Sequence, residues 1–255
     1  MTVRSVEPQL PSSVGGSPRI VSLVPSSTET LLALGADVVA CTRFCEQTGL
    51  VHVGGTKNPD IAAIIDLAPD VVVLDREENR REDAEALSEA GLELVVSDVR
   101  SVADAAAIVV RLAALVGVEP PHEPARVPAR APGDDRRLSA FVPIWRRPWM
   151  SINNGTYAGS LLASLGVDLI TGDDPASYPV VELEDIARRQ PDAVLVPSEP
   201  YDFSDDHLDE LRTAIPSAWV LRVDGQDLFW WGSRTAGAMR RLSAALAPAV
   251  RAIQR

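Results

Sequence analysis

The chain has 255 residues, of which 46% are apolar and 24% charged. That is the composition of an ordinary globular protein, able to bury a core without disulfide or metal staples. Its 24 Lys and Arg stand against 36 Asp and Glu, a net charge of −12, which argues against nucleic acid and anionic membrane as main partners.

The first twenty residues, MTVRSVEPQLPSSVGGSPRI, hold no apolar stretch of signal-peptide length. No later run reaches the roughly 18 apolar residues of a membrane span. The expected location is therefore the cytoplasm, and there Cys41 and Cys45 read as free thiols. Residues 1–18 form a Pro-, Ser- and Gly-rich lead-in. RIVSLV then predicts a strand, PSSTETLLALG a helix that stops at Gly35, and ADVVAC a second strand. DIAAIIDLAPDVVVLD reads as helix, Pro-Asp break and buried strand, and REDAEALSEAGLELVVSD repeats helix, Gly and strand. SVADAAAIVVRLAALVG predicts a helix of about sixteen residues. The following VEPPHEPARVPARAPGDD is too rich in proline for a helix and reads as a stiff linker. His122 lies in it and is expected to be solvated.

From RLSAFVPIW onward the order repeats. NGTYAGSLLASLGVDLI matches PSSTETLLALGADVVA, ELEDIARRQPDAVLVPS matches DIAAIIDLAPDVVVLD, and SAWVLRVDG matches LELVVSDV. Gly35 pairs with Gly166, Pro69 with Pro191 and Asp98 with Asp224, at nearly constant separation. The fold class is therefore α/β: two similar lobes with central parallel sheets, joined by a helix and a Pro-rich linker. The expected boundaries are 19–100 for the first lobe, 101–136 for the connection and 137–255 for the second lobe.

Parallel sheets bind ligands outside the carboxyl ends of their strands, and a cleft between lobes is a favoured pocket. The loops at those ends are PSST, CTRFCEQ and DREENRRED in lobe one, and WRRPWMSINNGTY, PSEPYDF and DGQDLFWWG in lobe two. Most of the aromatic residues fall there: Phe44 in lobe one, and Trp145, Trp149, Tyr157, Tyr201, Phe203, Phe229, Trp230 and Trp231 in lobe two. Flat apolar faces with polar tips suit a large ring-bearing ligand. Arg43, Arg76, Arg146 and Arg147 would add charge or stacking. Trp149 and the other loop-root aromatics have core packing as their alternative. DREENRRED reads either as a helix start with i,i+4 ion pairs or as a clamp in which Glu77, Glu78 and Asn79 offer acceptors. VGGTKNPD holds the only lysine, Lys57, and reads as a turn into a helix capped near Asn58.

RIVSLVPSSTETLLALG, VGGTKNPDIAAIIDLAPDVVV and NNGTYAGSLLASLGVDLI, in this order, resemble the helical-backbone metal-receptor superfamily, the substrate-binding proteins of ABC importers for vitamin B12, iron-siderophores and haem. The cobalamin-binding branch is the most similar, over roughly Arg19 to Leu246. The resemblance implies a class III periplasmic-binding-protein-like fold that holds its ligand between two lobes without chemistry. It implies that Pro25, Ser26, Phe44 and Arg76 face ligand in lobe one, and Trp145, Asn154, Tyr157, Phe229 and Trp230 in lobe two. Ser27, Arg43, Glu77, Trp149, Tyr201 and Trp231 complete the candidate set. The family docks its permease through one glutamate per lobe; Glu184 matches in lobe two, whereas Ala62 stands at the lobe-one position. Thr56 stands near where the B12 receptors place a ligand-facing tryptophan, and the connecting helix is shorter than the family's.

The three histidines, His52, His122 and His207, are scattered, so no bare transition-metal site is expected. No P-loop, GxGxxG or nucleophile motif is present. The reading is a cytoplasmic, non-catalytic solute-binding-like protein that holds a corrinoid, ferric siderophore or haem. The alternatives are an importer receptor with an upstream start, for which an ABC permease is the partner, and an enzyme acting on a metal chelate.

Overall fold

The computed structural model describes residues 17–121 and 137–253. His122 and most of the Pro-rich linker lie outside them, as do the first sixteen residues of the lead-in. The chain divides into two compact units, one of residues up to 96 plus 110–120, the other of residues 97–109 plus 121 onward.

In chain order the elements are β1 (Arg19–Ser22), α1 (Pro25–Ala33), β2 (Asp37–Cys41), β3 (Val51–His52), β4 (Gly54–Gly55), β5 (Asn58–Pro59), α2 (Ile61–Asp66), β6 (Val71–Asp75), α3 (Arg81–Glu89), β7 (Glu93–Ser97) and α4 (Val102–Val116). They continue with β8 (Leu138–Phe141), α5 (Tyr157–Ser164), β9 (Val167–Leu169), α6 (Leu183–Arg188), β10 (Ala193–Pro197), α7 (Asp205–Ala214), β11 (Trp219–Val223), α8 (Gly225–Phe229) and α9 (Thr235–Ile253). The first unit's sheet runs β3-β2-β1-β6-β7 and the second's β11-β10-β8-β9. Read from the other edge, the second is β9-β8-β10-β11, the topology of the first without its β3. All named pairings in both sheets are parallel.

The two halves repeat down to single bonds. Gly35 and Gly166 end α1 and α5 with φ of +76° and +80°, left-handed values that favour glycine. Ala68 and Gln190, which precede the two matched prolines, also share positive φ, 44° and 51°. The aspartate after each proline caps the start of a neighbouring strand. Asp70 Oδ2 accepts from the Arg19 amide at 2.7 Å, and Asp192 Oδ2 accepts from the Ser139 amide at 2.9 Å. The Pro-Asp break thus closes a helix and sets the strand beside it.

Every residue of β6 and of β10 is buried, as expected of strands covered by helices on both faces. The core of the first unit gathers Val21, Leu23, Ile64, Val72, Leu74 and Leu87. That of the second gathers Phe141, Val194, Val196, Phe203, Leu208 and Leu211. The sixteen-residue helix expected after Ser101 is α4, with fifteen, closed by Gly117 at φ +79°. Two local readings are corrected. DGQDLFWWG is not all loop, because Asp224 accepts from the Asp227 amide at 3.1 Å and nucleates α8. The cap of α2 is Asp60, not Asn58, since the Asp60 side chain accepts from the Ala63 amide at 3.0 Å. Asn58 instead sits in the β4–β5 hairpin.

Candidate ligand-binding loops

In the second unit the loops after β8, β10 and β11 leave the same edge of the sheet, because the three strands are parallel neighbours. WRRPWM folds as a tight hairpin: Trp145 and Met150 pair, and the Met150 amide donates to the Trp145 carbonyl at 3.1 Å. Arg147 takes φ 71° within it, and the Arg147–Pro148 and Glu199–Pro200 bonds are cis. Trp145 is 45% exposed, and Tyr201 meets it edge-on at 5.1 Å and 73°. Tyr201 in turn lies 4.8 Å from Phe203, which is buried. The row therefore starts at the surface with Trp145 and ends in the core at Phe203.

Arg146 is not available to a ligand. Its guanidinium is ion-paired with Glu210 at 2.7 Å and lies over the Trp149 ring. Asn154 is exposed beside the Thr156 cap of α5. Tyr157 and Trp231 are buried, while Phe229 and Trp230 are half-buried. The Tyr157 hydroxyl is 3.0 Å from that of Thr235. Burial pushes the Tyr157 phenol up to about 12, against the opposing effect of that hydrogen bond. The loops after β10 and β11 are bound together: the Gly225 amide donates to Ser198 Oγ at 2.9 Å, and a Cβ at Gly225 would sit 2.6 Å from the Glu199 nitrogen.

Sequence reasoning missed the charge cluster beneath Trp230. Asp227, only 2% exposed, holds Arg241 through two hydrogen bonds of 2.6 and 2.5 Å and Arg234 at 3.3 Å. The Arg234 guanidinium lies over the Trp230 ring, 5.2 Å from its centre. Helical spacing could not reveal it, because the side chains come from separate segments: Asp227 from α8, Arg234 from the turn after it and Arg241 from α9.

In the first unit Pro25 opens α1 and is half-buried, with Ser26 and Ser27 buried behind it. Ser27 Oγ is the one buried side-chain polar atom without a hydrogen-bond partner among the described residues. Arg43 and Phe44 are exposed, the guanidinium 4.8 Å over the ring. Arg76 and Glu77 are exposed at the end of β6. The Asn79 amide serves the loops, not a ligand: Oδ1 accepts from the Asp75 amide at 2.8 Å, and Nδ2 donates to the carbonyls of Leu23 at 3.2 Å and Thr56 at 2.9 Å. One buried side chain thereby ties three loops together. Arg80 and Arg81 pair with Asp83 and Glu85 one helical turn on, so this part of DREENRRED is a helix start. Lys57 donates to the Glu77 carbonyl.

Among the described residues no group of three or more His, Cys, Asp and Glu side chains converges as a metal site. His207 closes a capping box with Ser204 at the start of α7, and His52 bonds the Gln47 carbonyl at 2.9 Å. No described helix is long and apolar enough to cross a membrane.

No family model matches the chain. The vitamin B12-binding protein of Pectobacterium carotovorum subsp. carotovorum (strain PC1) is 24% identical over 198 residues, 71% of this chain and 72% of that protein. The periplasmic vitamin B12 binding protein BtuF of Vibrio cholerae superimposes with a TM-score of 0.74 at 17% identity, covering 91% of this chain and 98% of that one. The periplasmic heme-binding protein BhuT, solved with two hemes, gives 0.76 at 20% identity, covering 92% and 100%. The chain shares the fold of these periplasmic binding proteins. In this fold the repeat of β-α-β units and the matched Pro-Asp breaks have one explanation, a common architecture in both halves. Glu184, the docking candidate, is exposed on α6. It rims a groove of ≈ 760 Å³ between α6 and α7, floored by Leu183, Ala187 and Ala214 and flanked by Asp206, Asp209 and Glu210.

Proposed function

We propose that the chain is a non-catalytic solute-binding protein for a metal chelate, whether corrinoid, ferric siderophore or haem. The loops at the carboxyl ends of its strands would grip the chelate. One observation carries the reading: Trp145, 45% exposed and braced edge-on by Tyr201, projects from the sheet edge instead of filling the core. An aromatic face held open to solvent costs hydration free energy unless a flat ligand covers it. Exposed Phe44 under Arg43 adds a second solvent-facing ring, here stacked with a guanidinium. Such pairs suit a ring system with acidic substituents. The receptor fold and the vitamin B12- and heme-binding relatives support this class of ligand. In the reading we favour, the protein works in the cytoplasm as a carrier or sensor.

A second reading, the receptor of an ABC importer, is favoured by the exposure of Glu184 on an acidic groove, where a basic surface of a permease would fit. Cell fractionation separates the two settings.

The test of the ligand class is a titration with cobalamin, haem and ferric siderophores, followed by tryptophan fluorescence. At least one should quench, with the effect lost in Trp145→Ala. Failure of all three to bind below roughly 100 μM, an affinity of about −5.5 kcal/mol, would overturn the reading.

A further inference from the structure

The two central strands of the first unit part at one defined rung. β1 and β6 run parallel with Ser22 opposite Val73, and the ladder continues as the Leu23 amide donates to the Val73 carbonyl at 2.9 Å. In a parallel ladder the next rung would join the Leu23 carbonyl to the Asp75 amide. The Asn79 side chain stands in its place: Oδ1 accepts from the Asp75 amide at 2.8 Å, and Nδ2 donates to the Leu23 carbonyl at 3.2 Å. We propose that Asn79 is a positioning residue, a side-chain amide wedged between β1 and β6 that parts the strands and sets the loops which, in the chelate-binding reading on which this rests, face the ligand.

A primary amide suits this place. It offers the acceptor and the donor of the peptide groups it separates, with one further proton to spare. That second Nδ2 proton reaches the Thr56 carbonyl at 2.9 Å. Only one orientation of the amide satisfies all three partners, because the Asp75 N–H needs an oxygen and the two carbonyls need protons. Asn79 is 7% exposed, so bulk water does not replace a partner lost here.

Each bond fixes one loop that carries candidate ligand residues. The Leu23 carbonyl lies two residues before Pro25, which opens α1 beside Ser26. The turn after β6 is closed twice, by Asn79 Oδ1 on the Asp75 amide and by the Asn79 amide on the Asp75 carbonyl at 2.9 Å. That turn carries exposed Arg76 and Glu77. The Thr56 carbonyl belongs to the β4–β5 hairpin, which supports the Arg43–Phe44 pair. The Arg43 amide donates to the Gly54 carbonyl at 2.9 Å. A Cβ at Gly55 would come within 3.1 Å of the Phe44 ring and 3.2 Å of the Arg43 guanidinium, so the pair lies directly on the hairpin. Loops fixed before binding lose little entropy when a ligand arrives. Asn79 thus acts through Arg43, Phe44, Arg76 and the start of α1, without touching the ligand itself.

The full-length protein is compared with Asn79→Asp and Asn79→Ala, by titration with cobalamin, haem and ferric siderophores at pH 7.5 and pH 5, and by amide hydrogen exchange without ligand. At pH 7.5 both variants should bind the chelate about tenfold more weakly than wild type, because buried hydrogen bonds are lost or opposed. At pH 5 Asn79→Asp should recover toward wild type at the same pH, since a carboxylate facing two carbonyls takes up a proton and donates again. Asn79→Ala should not recover. In the free protein Asn79→Ala should speed exchange of the Arg43, Asp75 and Glu77 amides and leave those of Ile20 and Val72 unchanged. The proposal fails if these loop amides exchange as in wild type, or if the two variants respond alike to pH. If wild type binds none of the chelates, the chelate reading fails, and the exchange pattern alone decides whether Asn79 sets the loops. Should neither variant fold, the wild-type Asp75 amide and Asn79 side-chain protons decide it: slow exchange supports the wedge, and exchange at the rate of a solvated amide overturns it.

Discussion

Trp149 lies flat on Phe203, the ring planes 4° from parallel and the centroids 5.9 Å apart. Phe203 belongs to the core of the second unit, so this stack lays half-buried Trp149 against the core, although it stands only four positions after exposed Trp145. Trp149→Ala is expected to cost about 2–3 kcal/mol, below a fully buried aromatic truncation because the ring is half-buried. Trp145→Ala should cost less than about 1.5 kcal/mol, the scale of one aromatic pair. Urea denaturation of the two variants measures the contrast, and similar losses would mean that both rings serve the core alike.

Tyr157 should ionise late. Its pKa rises from the ordinary 10.0 to about 12, so the folded state holds the phenolic proton more tightly than the unfolded state does. The associated stability is complete below pH 10 and is lost as pH climbs toward 12, in total about 2–3 kcal/mol. Tyr157→Phe removes this alkaline loss and costs about 1 kcal/mol at neutral pH, one hydrogen bond. Urea midpoints at pH 8 and pH 11 check the sign. A wild-type protein no more sensitive to alkali than the variant would rule out the burial effect.

Asp227→Asn should be among the more damaging polar substitutions. It withdraws the charge that pairs with Arg241 and Arg234. Breaking a buried pair from one side is expensive. The Arg241 side chain is 58% exposed and can turn to water, which puts the loss at about 2–4 kcal/mol. Thermal melts measure it. Trp230 fluorescence should also shift, since Arg234 would no longer be held over the ring, and an unshifted spectrum would count against that role.

The duplicated aspartates offer an internal control. Asp192 is half-buried and receives both the amide and the hydroxyl of Ser139, at 2.9 and 2.7 Å. Asp70 is exposed and receives the Arg19 amide. Asp192→Ala is therefore expected to cost about 2 kcal/mol and Asp70→Ala about 1 kcal/mol, because an amide that loses its partner near water is rehydrated. Denaturant midpoints that reversed this order would show that burial does not set the difference.

Much of the architecture was legible because it is periodic. Apolar runs, glycines after helices and Pro-Asp breaks marked most of the helices and strands, and their repetition exposed the duplicated topology. Site residues were less legible, because one loop sequence carries exposed and buried side chains side by side. In WRRPWM the hairpin sends Trp145 outward and Trp149 onto Phe203. In DREENRRED, Asn79 spends its amide on Leu23, Thr56 and Asp75, partners that lie far away in the chain or across a turn. Neither outcome follows from residue type.

The sequence by itself determined the α/β class, the internal repeat and the concentration of aromatic residues at the ends of the second unit's strands. These depend on local pattern, on the distances a helix or strand covers before glycine or proline stops it. Tertiary structure alone decided which aromatics are walls and which are core. It also decided that Arg146 is committed to Glu210, that Asp227 gathers two arginines and that Cys45 meets Thr28 and Thr42. Each of these is a contact made when parallel strands bring distant loops to one edge, where burial and hydrogen-bond partners are set by neighbours in space and not in the chain.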